Sequence, residues 1–160
     1  MNTLHFRTAI TKEDPGRIRE IVSSTGFFYD FEIPVAVELA EDALAEGDES
    51  SYQFIFAEVG GKTIAYSCFC PIACTESGYD LFWIATHSDF RGSGIGKQLL
   101  EETHRMIREM GGRYVIAETS TLEKYLPTRL FYEKNGYSTE GTIRDFYKPG
   151  DGKVIFMKRF

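Results

Sequence analysis

A chain of 160 residues, 42% hydrophobic and 26% charged, has the length for one domain with a real core and the composition of an ordinary globular protein. Its formal net charge of −6, with no basic cluster, argues against nucleic acid or an anionic membrane as a partner and mildly favours a cationic acceptor such as an amine. No apolar run approaches membrane-spanning length, and Met1-Asn2-Thr3-Leu4-His5 lacks a signal peptide's hydrophobic stretch, so a cytoplasmic location is expected.

Leu4 to Ala9 alternates and predicts a first strand. Thr11 to Asp14 offers an N-cap ahead of Pro15, and the helix that follows turns Ile18, Ile21 and Val22 inward and stops at Gly26. Phe27-Phe28-Tyr29-Asp30-Phe31 is too aromatic for an ordinary solvent loop. A second helix is predicted over roughly Pro34 to Ala45, with Val35, Leu39 and Leu44 apolar and Glu38, Glu41 and Asp42 outward. Tyr52 to Val59 and Thr63 to Ile72 read as strands joined by a tight turn at Gly60-Gly61. Cys68, Cys70 and Cys74 are odd in number, and Cys68 and Cys70 share a strand face, so reduced thiols are expected rather than a disulfide or a metal site. Asp80 to Thr86 is a buried strand, followed by a helix carrying Ile95, Leu99, Leu100, Thr103, Met106, Ile107 and Met110 up to Gly111-Gly112. Arg113 to Thr119 is another buried strand, and Leu122 to Asn135 a helix with a restart at Pro127. Tyr137 to Phe146 and Val154 to Phe160 pair across a turn-rich loop. Strands and helices in this order, with no repeat or linker, indicate a single α/β or α+β domain spanning residues 1–160.

The informative stretch is Arg91-Gly92-Ser93-Gly94-Ile95-Gly96-Lys97, between a strand and a helix. A glycine turn that opens a helix leaves unpaired N–H groups at the positive end of the helix dipole, which is a cradle for phosphate. A P-loop would need glycine at position 91 and Ser or Thr after the lysine, but Arg91 and Gln98 stand there. A dinucleotide fingerprint would need glycine where Lys97 stands, and an earlier strand. Arg-x-x-Gly-x-Gly after a strand, on Arg91, Gly94 and Gly96, resembles the acetyl-CoA pyrophosphate loop of the GNAT superfamily of N-acetyltransferases. Downstream, Leu130-Phe131-Tyr132-Glu133-Lys134-Asn135-Gly136-Tyr137 is similar to the family's Phe-Tyr-x-Lys-x-Gly-Phe segment, with Tyr137 for the last Phe. The resemblance spans nearly the whole chain. It implies a mixed, mostly antiparallel central sheet with helices on both faces, and a splayed central strand pair holding pantetheine.

The implied reaction is acetyl transfer from acetyl-CoA to a primary amine by direct attack, in an acetyl-CoA-dependent N-acetyltransferase. It needs a polarised thioester, a deprotonated amine, a stabilised oxyanion and a protonated leaving thiolate. By resemblance, backbone groups of Ile84, Ala85 and Thr86 hold the acetyl-pantetheine end, and Gly92, Ser93, Ile95 and Lys97 complete the loop of Arg91, Gly94 and Gly96. Tyr132 protonates or orients the thiolate. Two carboxylates compete as base. Asp80 opens the strand before the loop, where histone-type members carry a glutamate, and Glu118 ends the next strand, where partial desolvation would raise its pKa. Glu118 is slightly favoured, because Asp80 is short and adjoins Ser77-Gly78; a water chain is the third option. The chain departs from the family where many members carry Asn and Ala, seven and four residues before the tyrosine. Here Tyr125 and Thr128 stand there, and a hydroxyl is expected to replace the Asn contact to CoA.

Phe28, Tyr29, Glu32, Glu118 and Tyr147 are the acceptor-site candidates, from the Phe27 to Glu32 loop, a strand end and the Tyr147 to Asp151 loop. They suit a small amine with an apolar portion, such as an amino acid, a polyamine-like amine or an antibiotic amine. Protein or peptide acetylation and a non-catalytic acyl-CoA-binding module are the alternatives, and a homodimer is left open.

Overall fold

The computed structural model describes residues 3–160; Met1 and Asn2, part of the N-terminal reading above, lie outside the described residues. The elements are β1 (Leu4–Arg7), α1 (Asp14–Thr25), α2 (Glu32–Glu46), β2 (Gln53–Val59), β3 (Lys62–Pro71), β4 (Gly78–Thr86), α3 (Ile95–Glu109), β5 (Tyr114–Ser120), α4 (Leu126–Lys134), β6 (Ser138–Lys148) and β7 (Asp151–Arg159). The strands form a seven-stranded, mostly antiparallel sheet in the order β1-β2-β3-β4-β5-β7-β6. The chain divides into two compact units, residues 1–70 with 83–106, and 71–82 with 107–160.

In the first unit β2 pairs antiparallel with β1 and with β3. The β2–β3 turn has Gly60 and Gly61 both at positive φ, 59° and 78°, the conformation a two-residue hairpin requires. Alternation along β3 sends Tyr66 and Cys68 to one face and Ser67 to the other. Tyr66 and Cys68 join Phe54, Phe56 and Ala85 in a cluster with Ile18, Ile21 and Val22 of α1 and Ala36, Val37, Ala40 and Ala43 of α2. Ser67 meets α3 instead, its Oγ 2.8 Å from Thr103 Oγ1, which donates to the Leu99 carbonyl. Helices therefore cover both faces of this part of the sheet. At the edge, Arg7 makes a bidentate pair with Asp14 and donates to Glu58, tying β1 to the start of α1 and to β2. Asp14 is only 1% exposed, so loss of Arg7 would strand a buried carboxylate at a cost of about 3–5 kcal/mol.

In the second unit β4 pairs in parallel with β5, Gly78–Leu81 against Tyr114–Ala117. This ladder uses the first four residues of each strand. β5 and β6 both pair antiparallel with β7. Val115, Ala117, Val154 and Phe156 face a core closed by Tyr132 of α4 and by Tyr137.

Several sequence expectations shift. The first strand ends at Arg7 rather than Ala9, while the first helix has its N-cap at Glu13, inside the Thr11 to Asp14 stretch expected to supply it, with Thr11 N–H donating to Asp14. α2 starts at Glu32, two residues before Pro34; its buried residues are Ala36, Val37, Ala40 and Ala43, Leu39 packs partly buried against the same core, and Val35 is exposed. Met110 lies beyond the end of α3 and is exposed. The last helix is interrupted as Pro127 suggested: a 3-10 turn, Glu123–Tyr125, precedes α4. β6 and β7 run longer than expected and leave only Pro149 and Gly150 between them. None of the three cysteines is in a disulfide; Cys68 and Cys70 are buried and Cys74 is exposed.

Candidate functional site

The glycine stretch lies in the first unit, after β4 and a 3-10 turn over Ser88–Phe90. His87 caps that turn, its Nδ1 accepting from Asp89 N–H, and Ser88 N–H reaches Ser24 Oγ on α1. Arg91 lies over the ring of Phe27, 4.3 Å from its centroid, which joins the aromatic loop to the start of the cradle. Ser93 Oγ donates to the Phe90 carbonyl. Gly92 and Gly94 sit at φ 74° and 80°, where a Cβ is strained, and a Cβ at either would meet no protein atom within 4 Å. Among the described residues, the backbone N–H groups of Gly92 to Lys97 find no hydrogen-bond partner; the helical ladder resumes with Gln98 N–H to the Gly94 carbonyl. Six successive donors at a helix N-terminus, with space where side chains would stand, fit a pyrophosphate. Lys97 is exposed and 3.7 Å from Glu101, close enough to the loop to add positive charge. The backbone of Ile84, Ala85 and Thr86 forms the end of β4 in the same unit, with Ala85 buried.

The aromatic loop is part plug. Phe28 packs beside Trp83 of β4, ring centroids 5.0 Å apart, at the margin of the α1–α2 core, while Tyr29 stacks on Phe31 at 5.3 Å. Glu32 accepts from Tyr29 N–H at 2.6 Å and so fixes the turn that opens α2. Phe31, 72% exposed, is the solvent-facing end of this stack.

The second unit holds Tyr132, Asp80 and Glu118. Tyr132 is buried on α4 against Tyr137, Phe131 and Phe156, with centroids 5.1 to 5.6 Å away. Burial pushes its phenol well above the ordinary range, so it remains a proton donor at neutral pH. Nothing among the described residues hydrogen-bonds its hydroxyl. Tyr125 is buried at the end of the 3-10 turn and Thr128 is half-buried on α4. Arg129 donates to the Ser120 and Leu122 carbonyls at 2.7 and 2.9 Å. It ties α4 to the end of β5.

On the other sheet face, strand alternation and register line up Asp80 and Ile116, then Glu118 with Ile155, and Lys153 beyond. Burial raises the Asp80 carboxyl above the usual carboxylate range; Glu118 pushes it the same way and Lys153 opposes. Lys153 Nζ is 2.5 Å from Glu118 and 3.7 Å from the centroid of Phe146. Phe146 and Tyr147 reach this position because Asp145 adopts φ 56° and accepts from Gly150 N–H at 2.8 Å, bending the end of β6. Lys153 and Phe146 were not among the candidates from sequence. Alternation along β7 would have placed Lys153 on the face of Glu118 had the strand been taken to begin at Asp151 rather than Val154.

The acetyltransferase (GNAT) domain model matches residues 50–139. A crystal structure of a protein assigned to the GNAT family from Desulfovibrio desulfuricans is similar over 98% of this chain and 99% of its own, with 40% identity and a TM-score of 0.95. The chain belongs to the GNAT family of acetyltransferases. It is an acetyl-CoA-dependent acetyltransferase. More distant structures share the fold: the PaiA N-acetyltransferase of Thermoplasma acidophilum in complex with coenzyme A, at 17% identity, 99% coverage of both chains and TM-score 0.74, and the aminoglycoside 6′-N-acetyltransferase of Enterococcus faecium, at 13% identity, 97% and 96% coverage and TM-score 0.77. No curated protein sequence gives a significant match. Among the described residues no helix is long and apolar enough to cross a membrane.

Proposed function

We propose that the protein acetylates the primary amine of a small molecule with an apolar portion, by direct attack, the chain working as one catalytic domain. Bound acetyl-CoA supplies the thioester carbonyl that the amine attacks. The N–H groups of Gly92 to Lys97, with Arg91 alongside, bind the pyrophosphate, and the backbone of Ile84 to Thr86 orients the acetyl-pantetheine end. Tyr125 and Thr128 contribute hydroxyl groups toward the pantetheine. Tyr132 gives a proton to the departing thiolate, and Asp80 or Glu118 takes one from the acceptor ammonium. Phe28, Tyr29, Glu32 and Tyr147 shape the acceptor side. The observation that carries the choice of acceptor is Lys153: this sheet face already holds one ammonium between a carboxylate and an aromatic ring, which is the chemistry that recognises an amine.

Calorimetric titration of acetyl-CoA against free CoA and NAD, followed by an amine panel with thiol detection, tests this reading. Micromolar acetyl-CoA binding, no NAD binding and CoA release with at least one small amine are expected; thiol release with none of them would overturn the acceptor class. A protein or peptide acceptor is the second reading, favoured by the exposed Phe31 and Val35 at the start of α2. It requires acetylated proteins by mass spectrometry in lysate given enzyme and acetyl-CoA. We place the activity in the cytoplasm on the strength of three cysteines outside any disulfide.

A further inference from the structure

Two carboxylates share the open sheet face of the second unit, and the reaction needs one proton acceptor. Acetyl transfer to an ammonium breaks one C–S bond, forms one N–C bond and releases one proton overall. The two groups are not equivalent in this chain. Glu118 is 41% exposed and sits 2.5 Å from Lys153, whose side chain is only 13% exposed. Lys153 in turn is held from its other side by the ring of Phe146 at 3.7 Å, with Tyr147 at 6.0 Å. The bend at Asp145 that aims these rings is itself fixed by the bond from Gly150 N–H, so the ammonium has little freedom to leave Glu118. Asp80, on β4, has no such partner within ion-pair distance and is half-buried.

Resting on the acetyltransferase reading above, we propose that Lys153 is a positioning residue that divides the labour of the two carboxylates: clamped by Phe146, it occupies Glu118 and leaves Asp80 to accept the acceptor's proton. The charged groups acting on Asp80 are Glu118 from β5 and Lys153 from β7. Asp151, at the start of β7, accepts from Ser120 Oγ, and Asp145 of β6 is engaged by Gly150. Lys153 and Glu118 pull Asp80 in opposite directions, which gives the proposal opposite-sign tests. Removing the cation raises the pH at which Asp80 titrates; removing the Glu118 charge lowers it.

The experiment is a carboxyl carbon-13 NMR titration of Asp80 in the full chain without cofactor or acceptor, for the wild type, Lys153→Met, Lys153→Arg and Glu118→Gln. The Asp80 midpoint should move up in Lys153→Met, stay near wild type in Lys153→Arg and move down in Glu118→Gln. A midpoint that ignores both charge changes, or moves the same way in both, overturns the proposal. Glu118→Gln keeps the test intact if Lys153→Met fails to fold. With acetyl-CoA and an accepted amine, the acidic limb of kcat/KM should follow the same order, and Asp80→Asn should abolish that limb with a loss of roughly 100-fold or more. If Glu118→Gln abolishes the limb and Asp80→Asn merely displaces it, Glu118 is the acceptor and the proposal fails. Absence of acetyl-CoA binding would sink the functional reading and leave the NMR result standing, so the two failures are distinguishable.

Discussion

The cradle at Gly92 to Lys97 and the charged face around Asp80 solve opposite problems. The cradle is made almost wholly of backbone: its donors are N–H groups, and its glycines serve by leaving space and by accepting positive φ. The charged face is made of side chains from β4, β5, β6 and β7, and its properties come from what surrounds each charge. A backbone site is written in consecutive residues. A side-chain site is assembled from distant ones, and its chemistry changes when any neighbour changes.

That contrast can be broken by experiment. The largest effect is expected from Asp80→Asn, a fall in turnover of roughly 100-fold or more with acetyl-CoA affinity nearly kept, read from steady-state kinetics and calorimetry. The same variant should melt at a higher temperature than wild type. Asp80's folded carboxyl titrates above its unfolded one, so above that range its ionised form costs stability and an amide does not; a lower Tm would show that Asp80 is mainly structural. In the cradle, Gly94→Val should weaken acetyl-CoA by about tenfold to a hundredfold, because a branched Cβ at φ 80° is strained and stands where the ligand must approach. Circular dichroism should show the fold kept, and unchanged affinity would contradict a backbone site. Tyr132→Phe should lower kcat by about tenfold and leave affinity and Tm little changed, since the ring packing remains. Equal losses in kcat and affinity would assign Tyr132 to packing. The smallest effect, about 1 kcal/mol of stability with no change in kcat, is expected for Ser67→Ala, which leaves Thr103 bonded to the Leu99 carbonyl; chemical denaturation measures it.

Legibility in the sequence followed the same division. Arg91, Gly94 and Gly96 marked the loop proposed as the cradle because spacing along the chain is all that a backbone loop needs. The placement of Tyr132 on the last helix was legible for a related reason, since it sits in a contiguous segment that ends at the positive-φ Gly136. On α2 the outward Glu38, Glu41 and Asp42 were legible, but the most deeply buried positions are Ala36, Ala40 and Ala43 and Val35 is exposed, because small side chains allow close packing that a search for large apolar residues overlooks. Glu118 and Asp80 were found as residues, but their environments were not. The slight preference for Glu118 assumed desolvation at a strand end, whereas Lys153 is drawn onto Glu118 by pairing with Ser120 across β5 and β7 and by the bend at Asp145. That bend depends on a non-glycine residue at positive φ, which no local pattern around Asp145 announced.

The six unpartnered N–H groups at the start of α3 carry a further consequence. In the ligand-free protein, water must satisfy them, so their protons trade with solvent deuterons far faster than those of the inner turns of the same helix. On the proposed reading, a docked pyrophosphate would replace that water with phosphate oxygens and slow the trade at Gly92 to Lys97 in particular. Deuterium uptake by one short peptide of this protein would therefore report cofactor occupancy directly, with no acceptor and no turnover required.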